Sequence, residues 1–199
     1  MKRLLFSAFL FTAFSFNSSA QTYQQQFALC NQRFSETTTS LPEKTEKINA
    51  CLIETPAPKF KVKTIDGQEV ELSALKGKIV VLNFWTTQCK SCVEQLNLLQ
   101  KLTADNAGKD VVVVSLVEEP AATLANSYSS PMANVLLVPN AGALRTDVFK
   151  LPALFPYTVV VDKEGKIRKM WFASIGKEEA WLSRYQTVID DCSKNMKSK

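Results

Sequence analysis

From residue 56 onward the chain alternates between short apolar runs and amphipathic stretches. Three runs rich in β-branched residues are too short for helices, at positions 79–85, 111–117 and 158–161. Such runs predict buried strands, because β-branched side chains pack well on a pleated sheet. After the first run, apolar residues recur at the spacing of one helix face, at Val93, Leu96, Leu99 and Leu102. The pattern therefore predicts a strand, a helix and a second strand in succession.

Weaker signals complete the predicted order of elements. Residues 60–65 and 70–72 flank Asp66-Gly67, a turn dipeptide typical of a β-hairpin. Strands that alternate with helices and close on a hairpin predict an α/β fold with a mixed central sheet flanked by helices. The other predicted elements are a tight turn at 72–78, a helix ending near 128, a strand at 135–138, a helical segment at 141–149, an antiparallel strand at 167–172 and a last helix carrying Trp181, Tyr185, Val188 and Ile189.

The segments outside this pattern differ in composition. The start of the chain is basic, then apolar, and closes on the small residues Ser18 and Ala20, which is the pattern of a secretory signal peptide. We therefore expect an exported, periplasmic protein with no membrane anchor after signal removal. The expected division of the chain is a signal peptide at 1–20, an N-terminal helical extension at 21–55, a main domain at 56–193 and a basic tail at 194–199.

Charge and composition exclude several function classes. Removal of Lys2 and Arg3 with the signal peptide lowers the formal charge from +5 to +3. So mild a positive charge argues against a nucleic-acid partner. The chain has no histidine, which is the commonest ligand for copper, haem iron and zinc. We therefore expect no metal and no other cofactor.

The strongest chemical signal lies where the first buried strand gives way to the predicted helix. Cys89 and Cys92 stand there, separated by two residues. Free N–H groups and the helix dipole stabilise a thiolate at a helix N-terminus, and Lys90 adds a positive charge. Cys89 is therefore expected to attack disulfides, and Cys92 to resolve the mixed disulfide that forms.

Two other uses of this cysteine pair are a structural disulfide and half of a zinc site. Zinc would need two further ligands, and the chain has no histidine and no second cysteine pair at ligand spacing. The strand before the pair and the helix after it favour the redox interpretation.

Three further cysteines are interpreted through the predicted export, because oxidising compartments permit structural disulfides. Cys30 and Cys51 fall on the apolar faces of the two weak helical patterns in the extension. We expect a structural disulfide between them, with Cys192 left over. The alternatives are that both are free, or that one of them pairs with Cys192.

Several short blocks follow one another in one order and spacing along the chain. The blocks are Ala57-Pro58-Lys59-Phe60, Asp66-Gly67, residues 72–78, Asn83-Phe84-Trp85, Cys89 to Cys92, Pro156 and residues 162–166. Taken together they resemble the extracytoplasmic thiol:disulfide oxidoreductases of the thioredoxin superfamily, the TlpA and ResA group. The resemblance covers roughly residues 56–193.

The resemblance implies a thioredoxin fold and a substrate-binding role for Phe155 and Pro156. Pro156 would be cis and would face the cysteine pair, with Pro152 as the weaker candidate for that position. The implied partners are client proteins with cysteine pairs, such as apocytochromes c, and a membrane or exported electron donor.

This sequence also departs from the family pattern around the cysteines. It has Gln88 in place of a tryptophan, Gln95 in place of a glutamate and Asn97 in place of a proline. Thioredoxin itself has a buried aspartate at the position of Asn83. Both acids that usually take the proton from the inner thiol are therefore missing, which puts the speed of the reaction in question.

Other carboxylates become candidates for that proton. Glu94 is adjacent to the cysteine pair in sequence, and Glu118 and Glu119 follow the second buried strand. The carboxyl ends of parallel strands meet at one edge of a sheet, so Glu118 and Glu119 are expected near the cysteines. The alternative is that they are solvated loop residues with no role.

Three functions follow from these features. The leading hypothesis is an exported thiol:disulfide oxidoreductase that reduces client disulfides. The second is a peroxiredoxin-like peroxidase, because Thr86 stands three residues before Cys89, although Leu82 occupies the place of the proline that such enzymes have. The third is a copper- or haem-handling module, which the lack of histidine disfavours.

Overall fold

A computed structural model describes residues 22–36, 40–127, 134–172 and 178–194. Within those ranges, none of the helices combines the length and apolar character needed to cross a bilayer. The expected signal peptide, residues 195–199 of the tail and the predicted helix end near 128 lie outside them. The helices are α1 (Tyr23–Ser35), α2 (Leu41–Cys51), α3 (Lys90–Asp105), α4 (Ala121–Ser127) and α5 (Glu178–Lys194). The strands are β1 (Lys61–Lys63), β2 (Glu69–Glu71), β3 (Ile79–Trp85), β4 (Val111–Val117), β5 (Val135–Val138), β6 (Tyr157–Val161) and β7 (Ile167–Phe172).

Five strands form one central sheet in the order β5-β4-β3-β6-β7, and β1 and β2 form a separate hairpin. The β3, β4 and β5 strands are parallel, whereas β6 pairs antiparallel with both β3 and β7. This mixed sheet with flanking helices confirms the predicted fold class. The connection from β3 to β4 runs through α3, as parallel neighbours require a crossover.

Side chains of β3 point alternately to the two faces of the sheet. Val80 and Phe84 join the apolar cluster beneath α1 and α2, whereas Val81 and Trp85 join the cluster beneath α3 and α5. All seven residues of the strand are buried, which explains why its sequence is a continuous apolar run. Asn83 falls by this alternation on the face that carries α3 and α5, and it is fully buried.

The N-terminal extension is a helical hairpin closed by a disulfide. Thr22 caps α1 in a capping box with Gln25, and Ser40 caps α2. Cys30 and Cys51 are bonded, with an S–S distance of 1.99 Å and a Cα–Cα distance of 6.0 Å. The bond joins the middle of α1 to the last residue of α2.

Two tyrosine hydroxyls dock this hairpin onto the main domain. The Tyr23 hydroxyl donates to the Phe149 carbonyl at 2.5 Å, and the Tyr157 hydroxyl donates to Asn49 Oδ1 at 2.5 Å. Both tyrosines are buried. The extension therefore contacts Tyr157, the residue that directly follows Pro156 in the chain.

Two predicted local elements take more specific forms. The tight turn at 72–78 contains a 3₁₀ helix over Leu72–Leu75. The helical segment at 141–149 contains a π-helical turn over Leu144–Val148, in which the Phe149 N–H donates to the Leu144 carbonyl at 3.0 Å. Leu144 and Arg145, both within this turn, are buried.

Candidate active site

The sheet topology gathers the predicted site residues at one edge. Trp85 pairs with Val117 at the carboxyl ends of β3 and β4, so the loops that follow both strands begin side by side. Phe84 pairs with Tyr157 at the start of β6, which brings Pro156 to the same edge. The Phe155–Pro156 peptide bond is cis.

Cys89 and Cys92 form a disulfide with an S–S distance of 2.12 Å. Cys89 is the N-cap of α3, and its Sγ accepts a hydrogen bond from the Cys92 N–H at 3.2 Å. Cys89 is partly exposed, whereas Cys92 is fully buried. In the reduced protein this N–H and the helix dipole stabilise a thiolate on Cys89, and burial disfavours one on Cys92.

Glu119 holds the loop that leads to Cys89. Its Oε1 accepts from the Thr87 N–H at 3.1 Å, from the Thr87 hydroxyl at 3.0 Å and from the Thr86 hydroxyl. Burial acts to raise the pKa of Glu119, but the hydrogen bonds from Thr86, from the backbone of Glu119 itself and from Thr87 together outweigh it and lower the pKa below its usual value. Glu119 is therefore a fixed, ionised acceptor rather than a group poised to take up a proton at neutral pH.

Glu118 is engaged by a buried arginine that the sequence analysis did not identify. Arg145 Nε donates to Glu118 Oε1 at 2.5 Å, and Arg145 Nη1 donates to the Leu151 carbonyl at 2.6 Å. The Arg145 guanidinium also lies 5.3 Å from the centre of the Phe155 ring. The only sequence signal was an arginine within the otherwise mostly apolar predicted helical segment at 141–149.

A neutral polar network links Asn83 and Gln95 to side chains of β6 and α5. Asn83 Nδ2 donates to Gln95 Oε1 at 3.3 Å, and Gln95 Nε2 donates to the Tyr185 hydroxyl at 2.9 Å. The Thr158 and Tyr185 hydroxyls are 2.9 Å apart and share a hydrogen bond. Burial raises the pKa of Tyr185, so the network carries no charge at neutral pH. Sequence reasoning found Asn83 and Gln95 but placed Tyr185 only on a helix face.

The last two residues singled out from the sequence are Glu94 and Cys192. Glu94 is exposed on α3, next to the buried face that carries Cys92 and Gln95. Cys192 is a buried free cysteine on α5, and burial raises the pKa of its thiol to about 11. Among the described residues, no group of three or more histidine, cysteine or acidic side chains is arranged to hold a metal ion.

Comparison with known proteins identifies the family to which this chain belongs. The model of the AhpC/TSA family matches residues 53–171. The thiol-disulfide oxidoreductase ResA of Bacillus subtilis (strain 168) is 32% identical over 135 residues, which are 67% of this chain and 73% of ResA. These matches confirm the resemblance that the sequence blocks predicted.

Two solved structures are similar in fold. The exposed lipoprotein thioredoxin Etrx1 of Streptococcus pneumoniae strain TIGR4 is 26% identical, with a TM-score of 0.54 over 65% of this chain and 98% of Etrx1. A thiol:disulfide interchange protein of the thioredoxin family from Chlorobium tepidum TLS is 18% identical, with a TM-score of 0.55 over 69% and 94%. At 18% identity the second match shows the fold alone.

Proposed function

Because the chain belongs to the AhpC/TSA family and is a thiol:disulfide oxidoreductase, we propose that it reduces disulfide bonds in exported client proteins with Cys89 and Cys92. The observation that carries this proposal is the difference between the two sulfurs. Cys89 is partly exposed and its Sγ accepts from a backbone N–H, whereas Cys92 is fully buried. One sulfur is therefore suited to attack a client, and the other to act only after the client is bound.

In the proposed cycle, the Cys89 thiolate attacks one sulfur of a client disulfide. A Cys89–client bond forms, and the client's second sulfur leaves as a thiolate and takes up a proton. Cys92 then loses its proton and attacks Cys89 Sγ, which releases the client's first sulfur. The client has gained two electrons, and the protein holds the Cys89–Cys92 disulfide until an electron donor reduces it.

The Phe155–Pro156 segment is the proposed contact for the client backbone. Phe155 is partly exposed and packs against the same apolar cluster as Cys89. A client seated there would present its disulfide to the more accessible sulfur. Apocytochromes c, whose cysteine pairs need reduction, are one proposed client class.

The proposed location is outside the cytoplasm, in the periplasm, and the proposed donor is a membrane or exported thiol protein. The signal-peptide pattern at 1–20 supports this location, as does the description of Etrx1 as an exposed lipoprotein. A structural disulfide between Cys30 and Cys51 is also consistent with an oxidising compartment.

Removal of the Cys92 proton is the proposed slow step. Asn83 and Gln95 are neutral, Glu118 is paired with Arg145, and Glu119 is bonded to the loop before Cys89. None of these groups is free to act as a strong base at neutral pH. Glu94, which is exposed beside the buried face of α3, and hydroxide from solvent are the remaining proposed acceptors.

A peroxidase function receives less support. The Thr86 hydroxyl, which would have to serve a peroxidatic cysteine, donates instead to Glu119. Leu82 stands in the middle of a buried strand where such enzymes place a proline.

Insulin reduction by the protein, with a dithiol as electron donor, tests the proposal against peroxide consumption under the same conditions. We expect insulin reduction that depends on Cys89 and no peroxide turnover above the Cys89→Ala background. Rapid Cys89-dependent consumption of peroxide without insulin reduction would replace the proposal with the peroxidase.

A further inference from the structure

Arg145 is a buried cation that joins three separate segments beside the candidate active site. Its side chain is 11% exposed. Its guanidinium contacts Glu118, which directly follows β4, the Leu151 carbonyl in the loop between the π-helical turn and β6, and the ring of Phe155. A buried arginine is retained only where its charge and its donors are matched, and here an acid, a carbonyl and a ring supply the match.

The local backbone structure around Arg145 favours these contacts. The π-helical turn over Leu144–Val148 directs Arg145 inward. The Leu151 N–H also donates to the Arg145 carbonyl at 3.0 Å. Both the backbone and the side chain of Arg145 therefore bind Leu151. The loop from 151 to 155 is thereby fastened at Leu151 by two hydrogen bonds and at Phe155 by the guanidinium.

Glu118 is in turn anchored to the strand that leads to the cysteines. Its backbone N–H donates to the Trp85 carbonyl at 3.1 Å, at the end of β3. A continuous set of contacts therefore runs from Trp85 through Glu118 and Arg145 to Phe155. This set fixes the spacing between the β3 end, which precedes Cys89, and the segment that precedes Pro156.

We propose that Arg145 is a positioning residue that sets the Phe155–Pro156 segment at the correct distance from Cys89 for a protein client. The proposal rests on the proposed function, because it assigns client binding to that segment. Arg145 itself touches neither sulfur. It acts on catalysis only through the segment that it holds.

This role predicts a selective defect. A protein client needs both the sulfur and the neighbouring segment, whereas a small disulfide needs only the sulfur. Arg145→Met keeps the length and apolar stem of the side chain but removes the charge and the donors. We expect it to raise the KM for insulin roughly tenfold, since a misplaced binding segment weakens orientation, and to leave the rate with a small aromatic disulfide unchanged.

Two further variants separate positioning from other roles. Arg145→Lys keeps the charge but lacks the planar fork needed to serve Glu118 and Leu151 together, so an intermediate KM is expected. Glu118→Gln should raise the insulin KM without altering the pH profile of small-disulfide reduction. If Glu118 were instead the proton acceptor for Cys92, Glu118→Gln would slow both substrates and shift that profile.

The matched control is Arg168→Met. Arg168 also forms ion pairs, with Glu54 and Asp162. It lies near the start of β7, at the edge of the sheet opposite to the one that carries Pro156. Its loss should leave both substrates unchanged. The double variant of Arg145→Met and Glu118→Gln should be no worse than Arg145→Met alone, because both changes break one set of contacts.

The KM comparison between insulin and the small disulfide decides whether Arg145 has a positioning role. Insulin and the small disulfide affected equally by Arg145→Met, or neither affected, would overturn the positioning role. If Arg145→Met does not fold, Glu118→Gln and Arg145→Lys decide the question by the same KM comparison. If the wild-type protein reduces the small disulfide but not insulin, the proposed client function fails first, and the role of Arg145 fails with it.

Discussion

The two disulfides of this protein lie in opposite electrostatic settings. Cys89 is the N-cap of α3, where free N–H groups and the positive end of the helix dipole favour a thiolate. Cys51 is the last residue of α2, where the negative end of the dipole disfavours one. In each bond one sulfur belongs to a fully buried cysteine and the other to a partly exposed one. Burial alone therefore does not distinguish the two bonds.

The neighbours of the sulfurs differ as well. The loop before Cys89 is fixed by an ionised carboxylate, and Gln95, one turn after Cys92 on α3, belongs to a network of polar side chains. The Cys30–Cys51 bond is covered by the Gln26 amide, whose Nε2 lies 3.6 Å from one sulfur and 3.9 Å from the other. The comparison teaches that position relative to a helix end, more than exposure, distinguishes the proposed redox pair from the proposed structural disulfide.

The sharpest test of the comparison uses single cysteine variants. Cys92→Ser should accumulate mixed disulfides with client proteins, because Cys89 still attacks but nothing resolves the product. Cys89→Ser should trap none, and both variants should lose all turnover. Non-reducing gels of the two variants give the answer, with Cys192→Ser as the control that traps nothing and keeps activity. Equal trapping by the first two variants would contradict the assigned roles.

Removal of the other bond should affect stability rather than activity. The Cys30→Ser, Cys51→Ser double variant is expected to lose about 3 kcal/mol of unfolding free energy, since a bond across a separation of 21 residues restricts the unfolded chain. Urea unfolding measures this loss, and insulin reduction should remain at the wild-type rate.

A dithiol titration sharpens the same contrast in the intact protein. The Cys89–Cys92 bond should open at a lower dithiol concentration, because the N-cap stabilises a thiolate on Cys89 and thereby the reduced form of the pair. Peptide mapping of alkylated samples reports each bond separately. If both bonds opened together, the helix-end argument would fail.

The neutral network predicts that a carboxylate in it should speed turnover. In Gln95→Glu, the new side chain could accept hydrogen bonds from both Asn83 Nδ2 and the Tyr185 hydroxyl, in place of the present amide contacts. Burial raises the pKa of such a carboxyl towards neutrality, which suits a base. We expect mixed-disulfide resolution at pH 7 to rise at least about tenfold.

Stopped-flow measurement of the resolution step checks this expectation, and the exposed Asn97→Glu on the same helix is the charge-matched control. In the wild-type protein the same step should accelerate as pH rises towards the pKa of the Cys92 thiol. A rate that is flat with pH and unchanged in Gln95→Glu would mean that the proton leaves by another route.

The smallest expected effect is a local loosening of the loop bound by Glu119 at low pH. The folded-state pKa of Glu119 is lowered, so its contribution to stability is complete above the unfolded-state pKa and is lost as pH falls through the folded-state value. Below about pH 4, the usual range for a glutamate, the Thr86–Thr87 loop should loosen while the Cys30–Cys51 hairpin stays unchanged. Hydrogen exchange measured from pH 6 to pH 3 reports both regions, and Glu119→Gln should abolish the pH-dependent part of the change.

Much of the fold and the centre of the candidate site could be predicted from local sequence patterns. The apolar run of β3, the helical spacing of α3 and the two cysteines between them lie within a continuous stretch of chain. Their geometry follows from periodicity and from the chemistry of a helix N-terminus. The family resemblance rested on such blocks as well, because each is a local element whose order in the chain is visible.

The tertiary structure decided which distant side chains meet at the candidate site. Tyr185 meets Gln95 across 90 positions of sequence, and Arg145 meets Glu118 across 27. Periodicity could place Tyr185 on a helix face and Glu118 at a strand end, but it carries no information on which distant partner each one meets. That choice is made when α5 packs on α3 and the π-helical turn closes beside β4, because packing selects among partners that local patterns leave equivalent.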